Sequence, residues 1–211
     1  MLLMVLLAAT PSYTRLVTER GPVHVAIPPQ GARVTVVYVH GFWTRVDEAW
    51  VQHRLLEQLT GSGVDAAVIA PDAPSGPGQA VRWPDLQRLL AEVEARTGTA
   101  LPRDVIAIGH SGAYRTVGSW VNEPRLKHVV LLDAFYGAPS VWERFLAAAP
   151  RTLHIVARAT AGKSAPFCAR HPEVACEDSP LSHMGIVTGG EVIPRVLREA
   201  AELVAGLGHG V

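Results

Sequence analysis

The sequence has very little cysteine: two residues, Cys168 and Cys176, in 211. No His or Cys cluster at zinc-ligand spacing surrounds them, so nothing indicates a structural metal. Charge bias is absent too. Lys plus Arg and Asp plus Glu each number 19, and no long basic run occurs. That removes the electrostatic case for a nucleic-acid or other polyanionic partner. No apolar run is long enough to span a bilayer. There is no repeat at a solenoid period, no low-complexity tract and no Gly-rich phosphate loop of dinucleotide or NTP type. Charged residues make up only 18% against 48% hydrophobic, which excludes a disordered chain. What remains is one compact domain over residues 1–211 with a substantial core.

The first charged side chain is Arg15. Two readings of residues 1–10 stand. One is the remnant of a secretory signal cut near Ala8-Ala9, although its positive n-region is missing. The other is a buried N-terminal strand. The cysteines lie eight positions apart in a stretch that reads as a loop rich in Pro and polar residues. A disulfide would fasten that loop and suit a secreted or periplasmic setting. Two buried thiols would suit the cytoplasm. We expect the disulfide.

Along the chain, "RLVTERGPVHVAIP" reads as two short strands around Arg20-Gly21-Pro22. Val34 to Val39 is a β-branched and aromatic run, as in a strand buried on both faces. Val46 to Leu59 approximates helical spacing and is ended by Gly61 and Gly63. "VDAAVIAP" is a second buried strand. Trp83 to Ala95 reads as a helix with Pro84 in its first turn. Strand "DVIAIG", helix Ala113 to Val121, strand "HVVLLD", helix Val141 to Ala149 and strand "TLHIVARA" follow. A short strand "EVACED" and an amphipathic helix from Val192 to Leu207 complete the chain. This alternation predicts an α/β fold: a mostly parallel sheet with helices on both faces and the opening hairpin at one antiparallel edge.

In such sheets functional groups gather at the carboxyl ends of the strands. Those ends carry His40-Gly41-Phe42-Trp43, Asp72, Gly109-His110-Ser111-Gly112, Asp133-Ala134-Phe135-Tyr136 and Ser182-His183-Met184. The pattern G-x-S-x-[GA] arises by chance roughly 0.2 times in a chain of this length and composition, so its context decides. Here a strand runs directly into it and a helix directly out. A serine on that sharp turn needs small neighbours so that strand and helix can approach. Gly109, Gly112 and Ala113 are small. The plainer reading is a Gly-rich loop with a capping Ser.

From "VTVVYVHGFW" to "LSHMGIVTGG" the chain resembles a small, lidless member of the α/β-hydrolase superfamily. It departs from the G-x-S-x-G form only at Ala113. The resemblance implies the chain order Ser, acid, His, and with it Ser111 as nucleophile and His183 as base. The acid usually follows the next-to-last strand, but "ARATAGKSAP" holds no carboxylate there. A minority of relatives take it from the earlier strand, which points to Asp133. Asp178 and Glu173 are the substitutes, and a Ser-His dyad is the remaining choice. The implied oxyanion hole uses the Gly112 N–H and the Phe42 N–H, or that of Trp43 if the turn is one residue longer. Phe42, Trp43, Phe135, Tyr136 and Trp142 are candidates for an apolar wall, of which no more than two are expected to serve. The expected activity is hydrolysis of a small-molecule carboxylic ester through an acyl-enzyme, with no cofactor and no metal. An amidase, peptidase or thioesterase would use the same residues. A non-catalytic binding module would not need all three. Oligomeric state is not legible.

Overall fold

The computed structural model describes residues 10–207. Residues 1–9, on which the signal and strand readings fall, lie outside the described residues, as does His209. Among the described residues eight strands form one sheet: β1 (Ser12–Thr18), β2 (Gly21–Ile27), β3 (Val34–Val39), β4 (Ala66–Pro71), β5 (Val105–His110), β6 (Leu126–Leu132), β7 (Thr152–Ala157) and β8 (Ala175–Asp178). Their order is β1-β2-β4-β3-β5-β6-β7-β8. β1 pairs antiparallel with β2, and β2 antiparallel with β4. All other pairings are parallel. The chain steps from β3 outward to β4 and then back across to β5 on the other side of β3. The crevice at the carboxyl ends of β3 and β5 is therefore the topological switch point of the sheet.

Eight α-helices among the described residues accompany the strands: α1 (Val46–Gln52), α2 (Leu55–Gly61), α3 (Leu86–Thr97), α4 (Tyr114–Ser119), α5 (Pro139–Ala147), α6 (Ala161–Arg170), α7 (Gly185–Thr188) and α8 (Val192–Leu207). Alternate residues of each central strand face opposite sides. Val37, Val105, Ala107, Val129 and Leu131 join one core with Leu89 of α3, Val117 of α4, Phe145 of α5 and Phe167 of α6. Val36, Ile106, Ile108, Val130 and Leu132 join the other with Trp50 of α1, Leu59 of α2, Ile186 of α7 and Val196 of α8. Both faces are thus buried, which is why these strands read as continuous apolar runs rather than alternating ones.

Three segments differ from the sequence expectation. The single helix over 46–59 is two helices, α1 and α2, broken at His53 and Arg54, where Arg54 is left-handed at φ 48°. His53 turns inward, and its Nδ1 shares a hydrogen bond with the Tyr38 hydroxyl at 2.8 Å. The helix expected from Trp83 starts later: Asp85 caps α3 by accepting from the Arg88 N–H at 3.1 Å, leaving Pro84 outside it. The cysteines do not lie in a loop. Cys168 sits in α6 and Cys176 in β8, and a disulfide joins them. Gly162 and Pro166 disguised α6 as a loop, but Phe167 anchors it by packing on Phe135 at 5.0 Å.

Three buried histidines couple this fold to pH. Burial holds His53 down to about 4, and holds His110 and His128 down to about 3. Each takes up a proton near pH 6.5 when unfolded and stays neutral when folded. Their contribution is fully present above pH 6.5 and is lost as pH falls from there toward the folded values. The urea midpoint is expected to be flat above pH 7 and to decline from pH 6.5 to 4. Each group adds up to about 1.4 kcal/mol per pH unit to the slope. His128→Gln should make that decline measurably shallower.

Candidate active site

β5 ends in a sharp corner. Ser111 has φ 53°, a left-handed conformation that strains a side-chain-bearing residue by about 1–3 kcal/mol. A 3₁₀ turn over Ser111–Ala113 leads into α4. The corner closes only because its neighbours lack side chains. A Cβ on Gly41 would lie 2.7 Å from Ser111 Cβ, one on Gly109 3.0 Å from Val117 Cγ2, and one on Gly112 2.4 Å from Phe42 Cγ. Ala113 is accommodated, buried at the start of the helix.

The turn after β3 lies against this corner. The Ala73 N–H donates to His40 Nε2 at 3.0 Å. That leaves the proton on Nδ1, which donates to the Gly41 carbonyl at 2.7 Å. The Trp43 N–H donates to the Ser75 carbonyl at 2.8 Å, so it is already committed. Among the described residues the Phe42 N–H has no partner. The Gly112 N–H belongs to the first turn of a helix, where amides have no intrahelical acceptor.

Asp133 follows β6 with no solvent exposure and φ 46°. Its Oδ1 accepts from the Arg158 N–H at 2.9 Å, the Thr160 N–H at 2.8 Å and the Thr160 hydroxyl at 2.8 Å. Its Oδ2 accepts from the Ala159 N–H at 3.0 Å and from His183 Nδ1 at 2.6 Å. Burial pushes the Asp133 carboxyl upward, but His183 and the three backbone donors outweigh it and hold it well below the usual carboxylate range. His183 is one-third exposed. With Nδ1 donating to Asp133, its Nε2 is left as the acceptor. His110 Nε2–H donates to the His183 carbonyl at 3.2 Å, and the two rings lie 4.6 Å apart.

Ser111 and His183 line one cavity of about 240 Å³. Phe42, Trp43 and Met184 supply apolar lining, and Thr44, Glu48 and Gln52 polar lining. None of its lining residues is Lys or Arg. Of the other aromatic candidates, Phe135 and Trp142 are buried in the core. Tyr136 is half-buried beside Ser111. Burial raises its phenol and the Ser111 hydroxyl acts the other way. Of the substitute acids, Glu173 bonds His171 at 3.0 Å and Asp178 is exposed at the end of β8. Neither is hydrogen-bonded to His183 among the described residues.

Thr160, the polar lining of the cavity and the contact of His110 with His183 were not anticipated. Only the last two left a trace: Glu48 and Gln52 are spaced i,i+4 on one helix face, and His110 adjoins Ser111. Among the described residues no helix is long and apolar enough to cross a membrane, and no three His, Cys, Asp or Glu side chains converge as metal ligands would.

The chain matches the alpha/beta hydrolase family over residues 36–209. No curated protein matches it. It is similar in fold to a solved ferulic acid esterase, at 9% identity over 92% of this chain and 97% of that one, with a TM-score of 0.67. An esterase from Pyrococcus furiosus is 14% identical over 94% of this chain and 91% of that one, with a TM-score of 0.59. Carboxyl esterase 2 from the mycorrhizal fungus Tuber melanosporum is 13% identical over 93% and 87%, with a TM-score of 0.58.

The corner yields a stability test. Gly41→Ala places a methyl group into Ser111 Cβ and, at 3.1 Å, the His110 carbonyl. The backbone there must shift, at a cost of about 1–3 kcal/mol, read as a lowered urea midpoint. Gly61→Ala, where a Cβ meets nothing within 4 Å, should not lower it.

Proposed function

The chain belongs to the alpha/beta hydrolase family, and from that premise we propose that it is a serine hydrolase that cleaves carboxylic esters through an acyl-enzyme. Ser111 is the nucleophile, His183 the base and Asp133 the acid that orients it. The observation that carries this reading is the 2.6 Å bond from His183 Nδ1 to buried Asp133, on an imidazole that shares a cavity with Ser111.

The chemistry follows from that arrangement. Ser111 Oγ attacks the ester carbonyl while its proton passes to His183 Nε2. The imidazolium so formed faces a carboxylate that remains ionised, because its five hydrogen bonds favour the charged form. The developing oxyanion is held by the Gly112 and Phe42 N–H groups. Phe42 is favoured over Trp43 because the Trp43 N–H is committed to Ser75. His183 then returns its proton to the departing alcohol. Water, activated by the same imidazole, releases the acid. The strained turn keeps Ser111 at the mouth of the cavity, and Phe42 is pinned by its packing on Gly112.

An ester is favoured over a coenzyme A thioester by the cavity, whose lining offers no cation for phosphate groups. The esterases of like fold point the same way. An amide would engage the same residues, and a substrate panel separates it.

A fluorophosphonate probe is expected to label Ser111, and Ser111→Ala to lose both label and turnover. A folded sample labelled elsewhere, or not at all, refutes the assignment. Asp133→Asn should lower kcat on a 4-nitrophenyl ester by about 10³- to 10⁴-fold. Near-normal turnover would remove Asp133 from the triad.

A further inference from the structure

Trp43 is in two unfavourable states at once. The residue is 83% exposed, whereas the other four tryptophans of the chain are buried. Its backbone is left-handed at φ 67°, a conformation that a bulky residue adopts only under constraint. The constraint is visible: the Trp43 N–H is bonded to the Ser75 carbonyl at 2.8 Å. The fold therefore holds a large, flat, apolar side chain out in water on the wall of the cavity that contains Ser111. Packing within the chain does not account for that placement. Strain held beside a reactive group points to a ligand.

The rest of the cavity defines the ligand. Met184, 45% exposed and next to His183, supplies a polarizable thioether. Phe42 closes the wall against Gly112. An indole, a phenyl ring and a thioether lining one cavity suit an aromatic ring. The α1 side is different. Thr44 donates to Glu48 Oε2 at 3.1 Å, and the Arg45 N–H donates to the same oxygen at 3.1 Å. That fixes the carboxylate. Glu48 Oε1 has no partner among the described residues, and Gln52 lies one turn further along the same face. The absence of Lys and Arg from the lining disfavours an anionic group. At about 240 Å³ the cavity has room for one substituted ring.

Resting on the ester-hydrolysis reading above, we propose that this cavity recognises the half of the ester that carries a neutral aromatic ring with a hydroxyl at its far end. Trp43 is the stacking platform and Glu48 accepts the hydroxyl hydrogen bond. Both are specificity-determining residues, and neither takes part in bond making.

Two pairs of esters test it. Methyl 3-(4-hydroxyphenyl)propanoate against methyl hexanoate places the ring on the acid. 2-(4-Hydroxyphenyl)ethyl acetate against hexyl acetate places it on the alcohol. One pair is expected to show about a tenfold or greater preference in kcat/KM for the ring. Trp43→Phe should retain most of that preference and Trp43→Ala should abolish it. Glu48→Gln, which preserves the helix cap, should narrow the ratio between hydroxyphenyl and phenyl esters. Aliphatic esters turned over as well as their counterparts in both pairs overturn the proposal, and so does a ring preference that survives Trp43→Ala. Binding is read separately, as quenching of Trp43 fluorescence in Ser111→Ala by the two hydroxyphenyl esters, with Trp43→Phe removing the signal. Quenching without turnover of any ester by the wild type keeps the cavity assignment and refutes ester hydrolysis. Turnover without quenching refutes the cavity assignment alone.

Discussion

The Asp133 carboxylate is the interaction on which the site's geometry depends. A fully buried charge is tolerable only if its lone pairs are satisfied, and here five donors satisfy them. Those donors come from separate places in the chain: three backbone amides and a hydroxyl from residues 158–160 after β7, and the His183 ring. Meeting the demand of one carboxylate therefore ties the end of β6 to the turn that opens α6 and to the loop before α7. The cradle exists whatever the state of His183, because four of the five donors belong to residues 158–160. The carboxylate is thus held in place independently of the imidazole it orients.

Steric exclusion is the second constraint. Gly41, Gly109 and Gly112 each stand where a Cβ would collide with a neighbouring element. Those collisions converge on Ser111, the turn after β3 and the first turn of α4. The close approach brings Phe42 onto Gly112, so the ring that packs the corner also fixes the neighbouring backbone amide. Backbone strain gathers in the same region. Trp43, Ser111 and Asp133 are three of the five non-glycine residues with positive φ among the described residues, and each follows the end of a central strand. The two cores on either face of the sheet make such strain tolerable, since a rigid, doubly covered sheet resists relaxing toward unstrained turns.

The disulfide belongs to this arrangement as well. It joins α6, whose approach cradles Asp133, to β8, whose far end leads through residues 179–182 to His183. β8 is a short edge strand with mostly exposed side chains, and little apolar packing holds it. A covalent tie to α6 supplies what burial does not.

Much of this could be read without coordinates. Val34–Val39, Val105–His110 and Leu126–Leu132 are apolar enough to be recognised as strands covered on both sides. The small residues around Ser111 mark a turn that only small residues permit. These are local signals: a strand or a tight turn is written within a few neighbouring residues. Ser111, His183 and a choice among Asp133, Asp178 and Glu173 could likewise be named as candidates from chain order. The break at His53, the helix disguised by Gly162 and Pro166, and the commitment of the Trp43 amide to Ser75 could not be read. Each depends on a partner distant in sequence. The carboxylate that meets His183 is the clearest case. Glu173 and Asp178 are nearer to His183 along the chain, yet the hydrogen bond spans the 50 residues to Asp133. Local periodicity determined the layers. Which groups meet at their edge was decided only when the sheet order brought the ends of distant strands together and a buried charge required every donor within reach.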